Sequence, residues 1–218
     1  MMDIPKSWTF NTSEVASNFD SHVREQLPWY DVVTSMVFIL AQHFLPGNAV
    51  AYDVGCSTGN LGKKLSEIIK ARNIKWVGID NAESMKEHYL APGALEICDA
   101  LDYDFQPFDL AVCFLSMMFM DYSRRGAWLE KMVKLMKPGG AIIIVDREEP
   151  DAGVISTAFQ RAIWEGKITQ GADPKKIIEK EISLCGIQRP LPAGFLKDYH
   201  AKEFFRLGLF AGYIIIKQ

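Results

Sequence analysis

The stretch 49–60, AVAYDVGCSTGN, limits the fold more than any other part of the chain. A short apolar run follows Pro46-Gly47. It ends in an acid (Asp53), a glycine (Gly55), small residues (Cys56, Ser57, Thr58) and a second glycine (Gly59). In the next segment Leu61, Leu65, Ile68 and Ile69 recur at the spacing of one helix face, which predicts a helix over 61–71. The pattern then repeats. Residues 75–79 read as a strand ending at Asp80, 82–90 as a short amphipathic helix, and 94–98 as a strand ending at Asp99. Residues 108–114 read as a fourth strand and 123–136 as a helix with Trp128, Leu129, Met132, Val133 and Leu135 on its apolar side. Lys137-Pro138-Gly139-Gly140 reads as a helix stop before a fifth strand over 141–145. Nearly unbroken apolar strands alternating with helices describe a parallel sheet covered on both faces. Between Asp99 and Pro107 there is no room for a crossover helix, so that link is expected to be irregular.

Past Asp146 the pattern changes. Residues 152–164 and 174–184 read as helices. Residues 203–209 and 212–217 read as two strands with Phe210-Ala211 between them, close enough only for an antiparallel hairpin at one sheet edge. The expectation is one α/β domain over 1–218. It comprises a helical, aromatic N-terminal cap (1–45), a cofactor-binding core (46–146), a substrate and dimer region (147–200) and a terminal hairpin (201–218).

The chain has 218 residues, 49% of them hydrophobic, enough for an ordinary core without staples. A net charge of −3 argues against a strong non-specific nucleic-acid binder. Cys56, Cys98, Cys113 and Cys185 show no CxxC spacing and no zinc ligand set, so no metal is expected. No signal-peptide pattern opens the chain, and the longest apolar run is too short for a bilayer. A cytoplasmic protein without membrane contact is the expectation.

In an open parallel sheet, ligands bind at the carboxyl ends of the strands. Gly55 and Gly59 let backbone approach a ligand closely. Asp80 suits a ribose diol and Asp99 an adenine amino group. Together these strand ends suggest an adenosine site. A dinucleotide fold would show GxGxxG, whereas here Ser57 stands where a middle glycine often sits. Asp53 suits a sulfonium and an α-amino group better than a diphosphate. S-adenosyl-L-methionine (SAM) is therefore favoured over NAD(P) or FAD.

Trp8-Thr9-Phe10, Pro28-Trp29-Tyr30 with Ser35-Met36, and Tyr52-Asp53-Val54-Gly55-Cys56-Ser57 carry a family resemblance. So do Ile79-Asp80-Asn81 with Met85 and Pro138-Gly139-Gly140-Ala141. On these the chain resembles the class I SAM-dependent methyltransferases, and more narrowly the carboxy-S-adenosyl-L-methionine synthases that serve tRNA wobble-uridine modification. The resemblance implies a Rossmann-like class I methyltransferase fold, a mostly parallel seven-stranded sheet with a C-terminal antiparallel hairpin and a helical N-terminal lid. It implies that Tyr30 packs over the methionine end of the cofactor, that Gly55 and Ser57 line that end, that Asp80 and Asn81 hold the ribose and adenine region, and that Asp99 and Ala100 flank the adenine. It also implies a homodimer. Two positions depart from that family. Phe114 stands where the family has an asparagine, and Glu181 stands where it has an arginine that binds the extra carboxylate of carboxy-SAM. A glutamate repels an anion, with Arg147 or Arg189 as possible substitutes.

The reading that follows is methyl transfer from SAM to a small molecule or nucleic acid, RNA included. Carboxy-SAM synthesis from SAM and a donor such as prephenate, and a non-enzymatic scaffold, are the alternatives. The stretch 114–122, FLSMMFMDY, has no Asn-Pro-Pro-Tyr signature of nucleobase amino-methylation, and Cys113 lacks the Pro-Cys turn of C5 methylation. No catalytic residue is assigned; Tyr30, Arg147 and His200 are the candidates.

Overall fold

The computed structural model describes residues 8–218; the first seven residues of the expected cap lie outside the described residues. Two helices open the described chain, α1 (Ser13–Gln26) and α2 (Tyr30–His43). Thr12 caps α1 by accepting a hydrogen bond from the Val15 N–H. α2 buries Tyr30, Val33, Thr34, Val37 and Ala41, the one-face spacing of a helix laid on a core.

The sheet has seven strands: β1 (Val50–Val54), β2 (Lys75–Asp80), β3 (Ala94–Ile97), β4 (Phe108–Phe114), β5 (Met136–Arg147), β6 (Lys202–Leu207) and β7 (Phe210–Ile216). Their order is β3-β2-β1-β4-β5-β7-β6. The first five are parallel, and β7 lies antiparallel between β5 and β6. Strand order reverses between β1 and β4, and that point opens the crevice at the carboxyl ends. Side chains of β4 alternate: Ala111 and Cys113 enter one core with Ile142, Ile144, Trp128 and Met132, while Leu110 and Val112 enter the other with Ile143, Val145, Val33 and Val37. A fully buried Ile, Val or Leu contributes about 1.5–3 kcal/mol, so a sheet buried on both faces is the fixed platform of the site.

The remaining helices are α3 (Asn60–Lys64), α4 (Ser66–Ala71), α5 (Arg125–Leu135), α6 (Gly153–Thr169) and α7 (Pro174–Ser183). Four expectations are corrected. The 61–71 helix is divided at Leu65 into α3 and α4. Residues 82–90 form no α-helix; Glu83–His88 is a 3-10 turn beneath α1. α5 does end before Lys137-Pro-Gly-Gly140, but β5 begins at Met136 rather than 141, so that segment is a bulge inside the strand. Phe108 pairs with Met136 and Leu110 with Ala141, so the extra residues are looped out. The hairpin turn is Gly208-Leu209, not Phe210-Ala211; Gly208 has φ 58, which a glycine adopts without strain. Residues 98–107 link β3 and β4 without a helix, as the spacing predicts. No helix of the described residues is long and apolar enough to cross a membrane.

Candidate functional site: a cavity at the carboxyl ends of the strands

A cavity of about 660 Å³ lies over the ends of β1, β2, β3, β4 and β5, roofed by α1, α2, α6 and α7. It is lined by Tyr30, Asp53, Gly55, Cys56, Ser57, Asp80, Asn81, Asp99, Ala100, Phe114 and Arg147, so eleven residues singled out from the sequence converge on one space.

The glycine turn forms the floor. Gly55 has φ 72, and its N–H donates to the Ile79 carbonyl at 2.8 Å. A Cβ there would lie 2.3 Å from that of Ser116, so only glycine fits. The Ser57 N–H donates to Asp80 Oδ2 at 2.8 Å and the Ala82 N–H to Oδ1 at 2.9 Å. Asp80 therefore braces the turn as well as facing the cavity, and each oxygen keeps lone-pair capacity for a ligand. Burial pushes Asp80 up, against the opposing pull of its backbone N–H partners. Asp53 is 3% exposed and accepts no hydrogen bond from the described residues. Burial pushes its carboxyl up to about 7, with the Asp80 charge adding to the rise.

Asp99 Oδ1 accepts from the Leu101 N–H at 2.8 Å, and the Ala100 carbonyl accepts from the Trp128 indole at 3.0 Å. These bonds fix the β3 end of the cavity. On the opposite wall Tyr30 meets Phe114 edge-on, with ring centroids 5.3 Å apart. Its hydroxyl accepts from Asn60 Nδ2 at 3.3 Å, and burial pushes it up to about 12.

Asp20 on α1 was not singled out from the sequence. One carboxylate oxygen accepts from Thr58 Oγ1 and from Asn60 Nδ2, both at 2.8 Å. It joins the roof to the glycine turn. No local signal marks it, because its partners are long-range.

Arg147, Lys167, Lys180 and Glu181 all line the cavity. Arg147 donates to Gln188 Oε1 at 2.9 Å and to Gln160 Oε1 at 2.6 Å, while its buried Nε has no partner among the described residues. Lys180 Nζ contacts His22 Nε2 and sits 4.5 Å from the Trp8 ring centroid. Glu181 thus faces a group of cations. Glu181 alone would repel an anion, and in the cavity wall it is accompanied by Arg147, Lys167 and Lys180.

Two predicted residues lie elsewhere. Gly59 does not line the cavity; with φ 76 it caps α3, and a Cβ there would stand 2.8 Å from the Tyr89 ring. His200 is exposed, outside the cavity lining, in the left-handed conformation that ends a 3-10 turn. Of the two substitute arginines, Arg147 faces the cavity. Arg189 is exposed, and its carbonyl accepts from Arg125 at 3.0 Å.

The Methyltransferase domain family matches residues 51–140. A carboxy-S-adenosyl-L-methionine synthase of Staphylococcus epidermidis is 27% identical, with 98% of each chain covered. One from Citrobacter koseri is 30% identical over 64% of this chain and 60% of its own. Among solved structures, the plantazolicin methyltransferase BpumL bound to S-adenosylhomocysteine (SAH) superposes with a TM-score of 0.62 at 12% identity, covering 94% of this chain and 89% of that one. Human N-acetylserotonin methyltransferase bound to SAM gives 0.57 at 13% identity, covering 95% and 57%. The sheet order and these superpositions give the chain the Rossmann-like fold of the class I SAM-dependent methyltransferases, and residues 51–140 match the Methyltransferase domain.

Proposed function

We propose that the protein transfers a methyl group from SAM to a small-molecule or nucleic-acid acceptor. The observation that carries this reading is Asp53, a buried carboxylate in the cavity wall with no hydrogen-bond partner among the described residues. An unpaired buried acid calls for a cationic ligand group, and the α-ammonium and sulfonium of SAM are such groups. When bound, SAM supplies an electrophilic methyl carbon on that sulfonium.

In this reading Gly55, Cys56 and Ser57 lie along the methionine end, Asp80 and Asn81 hold the ribose side, and Asp99 and Ala100 flank the adenine. Tyr30 and Phe114 close the opposite wall and exclude water. In-line displacement asks mainly for such positioning, so a dedicated base is not required.

A second reading, carboxy-SAM synthesis, is favoured by the Staphylococcus epidermidis relative that matches end to end. Glu181 does not oppose it, since Arg147, Lys167 and Lys180 share its cavity. A homodimer is part of the proposal. α6 buries no residue, and Val154 is 77% exposed beside the exposed Ile155, outside the cavity lining, an apolar edge that a second copy would cover. Sedimentation of Val154→Asp is expected to show a monomer.

Mass spectrometry of the nucleoside retained after soaking with SAM decides between the readings. SAM or SAH is expected. A nucleoside heavier by carbon dioxide gives the second reading. No nucleoside, and no SAM binding by calorimetry, removes both and leaves the scaffold.

A further inference from the structure

The roof of the cavity holds more positive charge than the described residues neutralise. Arg147 comes from the end of β5, Lys167 from α6 and Lys180 from α7, and all three are half-buried in the cavity wall. None forms an ion pair among the described residues. Glu181 on α7 and Glu25 on α1 are the roof carboxylates that line the cavity, two against three cations, and Glu149, outside the lining, also acts on Arg147 from a distance. The Arg147 guanidinium has two neutral glutamines as partners and one buried N–H unpaired. Burying cations without a counter-charge is costly unless a ligand supplies one.

We infer that Arg147, Lys167 and Lys180 form an anion subsite that seats a carboxylate or phosphate of the second substrate. The inference rests on the methyl-transfer reading and narrows its acceptor to a small molecule carrying such a group. Two features assign the anion to the acceptor. The strand ends that would face the donor present carboxylates, at Asp53, Asp80 and Asp99. The cations come from β5, α6 and α7, and none from β1, β2 or β3.

The site has a built-in pH limit. Burial and the Lys167 charge pull Lys180 down to about 8, with Glu181 opposing, and its neighbour His22 on α1 is pulled down to about 4. His22 is therefore neutral near pH 7 while Lys180 is mostly charged. Burial also lowers Arg147 and Lys167, and Glu181 raises both. Anion affinity falls as pH rises through about 8, because Lys180 then loses its proton.

Calorimetric titration of SAH-loaded protein with malonate and, separately, inorganic phosphate tests this. One saturable site is expected for at least one probe, tighter at pH 7 than at pH 9. Lys180→Met and Lys167→Met each weaken it about tenfold, equivalent to 1.4 kcal/mol. Glu181→Gln tightens it by about threefold or more, since a repelling charge is removed. Malonate binding tighter assigns a carboxylate acceptor, and phosphate binding tighter a phosphomonoester. SAH binding without either anion, or anion affinity unchanged in all three variants, overturns the subsite. Malonate that displaces a retained carboxylated nucleoside, rather than binding beside SAH, gives the cations to the donor and overturns the assignment to the acceptor. Absence of SAH binding in the unaltered protein removes the underlying methyl-transfer reading, and this inference with it.

Discussion

Asp53 and Asp80 lie at the ends of neighbouring strands and face one cavity, yet they differ in their partners. Asp80 is held by the backbone N–H groups of Ser57 and Ala82. Asp80→Ala is expected to weaken SAM binding by tenfold or more, about 1.4 kcal/mol, with an unchanged circular dichroism spectrum; calorimetry reads the loss. Asp53 has no such partners, and its folded-state value of about 7 lies above the unfolded value. The folded, ligand-free protein therefore binds a proton that the unfolded chain has released. This group's contribution to stability is largest below the unfolded value and falls as pH rises towards 7. A cationic ligand reverses the preference, so SAM affinity is expected to rise between pH 6 and 8. Asp53→Asn should flatten that rise, as read from dissociation constants across the range.

At the scale of elements, the roof is attached by a few polar contacts as well as by aromatic packing. Asp20 ties α1 to Thr58 and Asn60, and Ser84 Oγ donates to the Phe10 carbonyl at 2.8 Å. Phe10 also meets Phe119 edge-on at 4.9 Å. Asp20→Ala should free α1, raising its hydrogen exchange while β1 and β4 keep their protection. The expected cost to SAM binding is about 1.5–3 kcal/mol at most, that of a broken charged hydrogen bond. At the far edge, Lys217 Nζ donates to the carbonyls of Val133 at 3.3 Å, Lys134 at 3.0 Å and Met136 at 2.6 Å. It caps the C-terminus of α5 from β7's end. Lys217→Met should lower the denaturation free energy by about 1 kcal/mol, the size of a lost cap and dipole contact.

For the whole molecule, the cavity joins the sheet to a roof drawn from both ends of the chain. A ligand that bridges them stabilises the fold by mass action. SAM at a hundredfold excess over its dissociation constant should add about 2.7 kcal/mol, read as a raised thermal midpoint. Asp80→Ala should lose at least about half of that gain.

The parallel core was legible in the sequence because its cause is local. Runs such as 76–79 and 110–114 carry no charged residue, and residues on alternate sides of a strand must all be buried when both faces are covered. The strand-end residues Asp53, Gly55, Asp80 and Asp99 were legible for the same reason, since a parallel sheet brings the carboxyl ends of its strands to one edge. Other features depend on contacts far along the chain and leave no local trace. The Lys137–Gly140 segment reads as a helix stop, but pairing with β4 and the bond from Gly139 N–H to the Lys217 carbonyl at 2.9 Å make it a bulge in β5. Asp20, Lys167 and Lys180 carry no mark of a site in the sequence. Only the packing of α1, α6 and α7 over the crevice brings Asp20 to Thr58 and Asn60 and the two lysines to the cavity wall. Glu181 shows the difference most clearly. As a single residue it signals repulsion of an anion, but the sign of the field is a sum over neighbours. Arg147, Lys167 and Lys180 become its neighbours only in the folded chain.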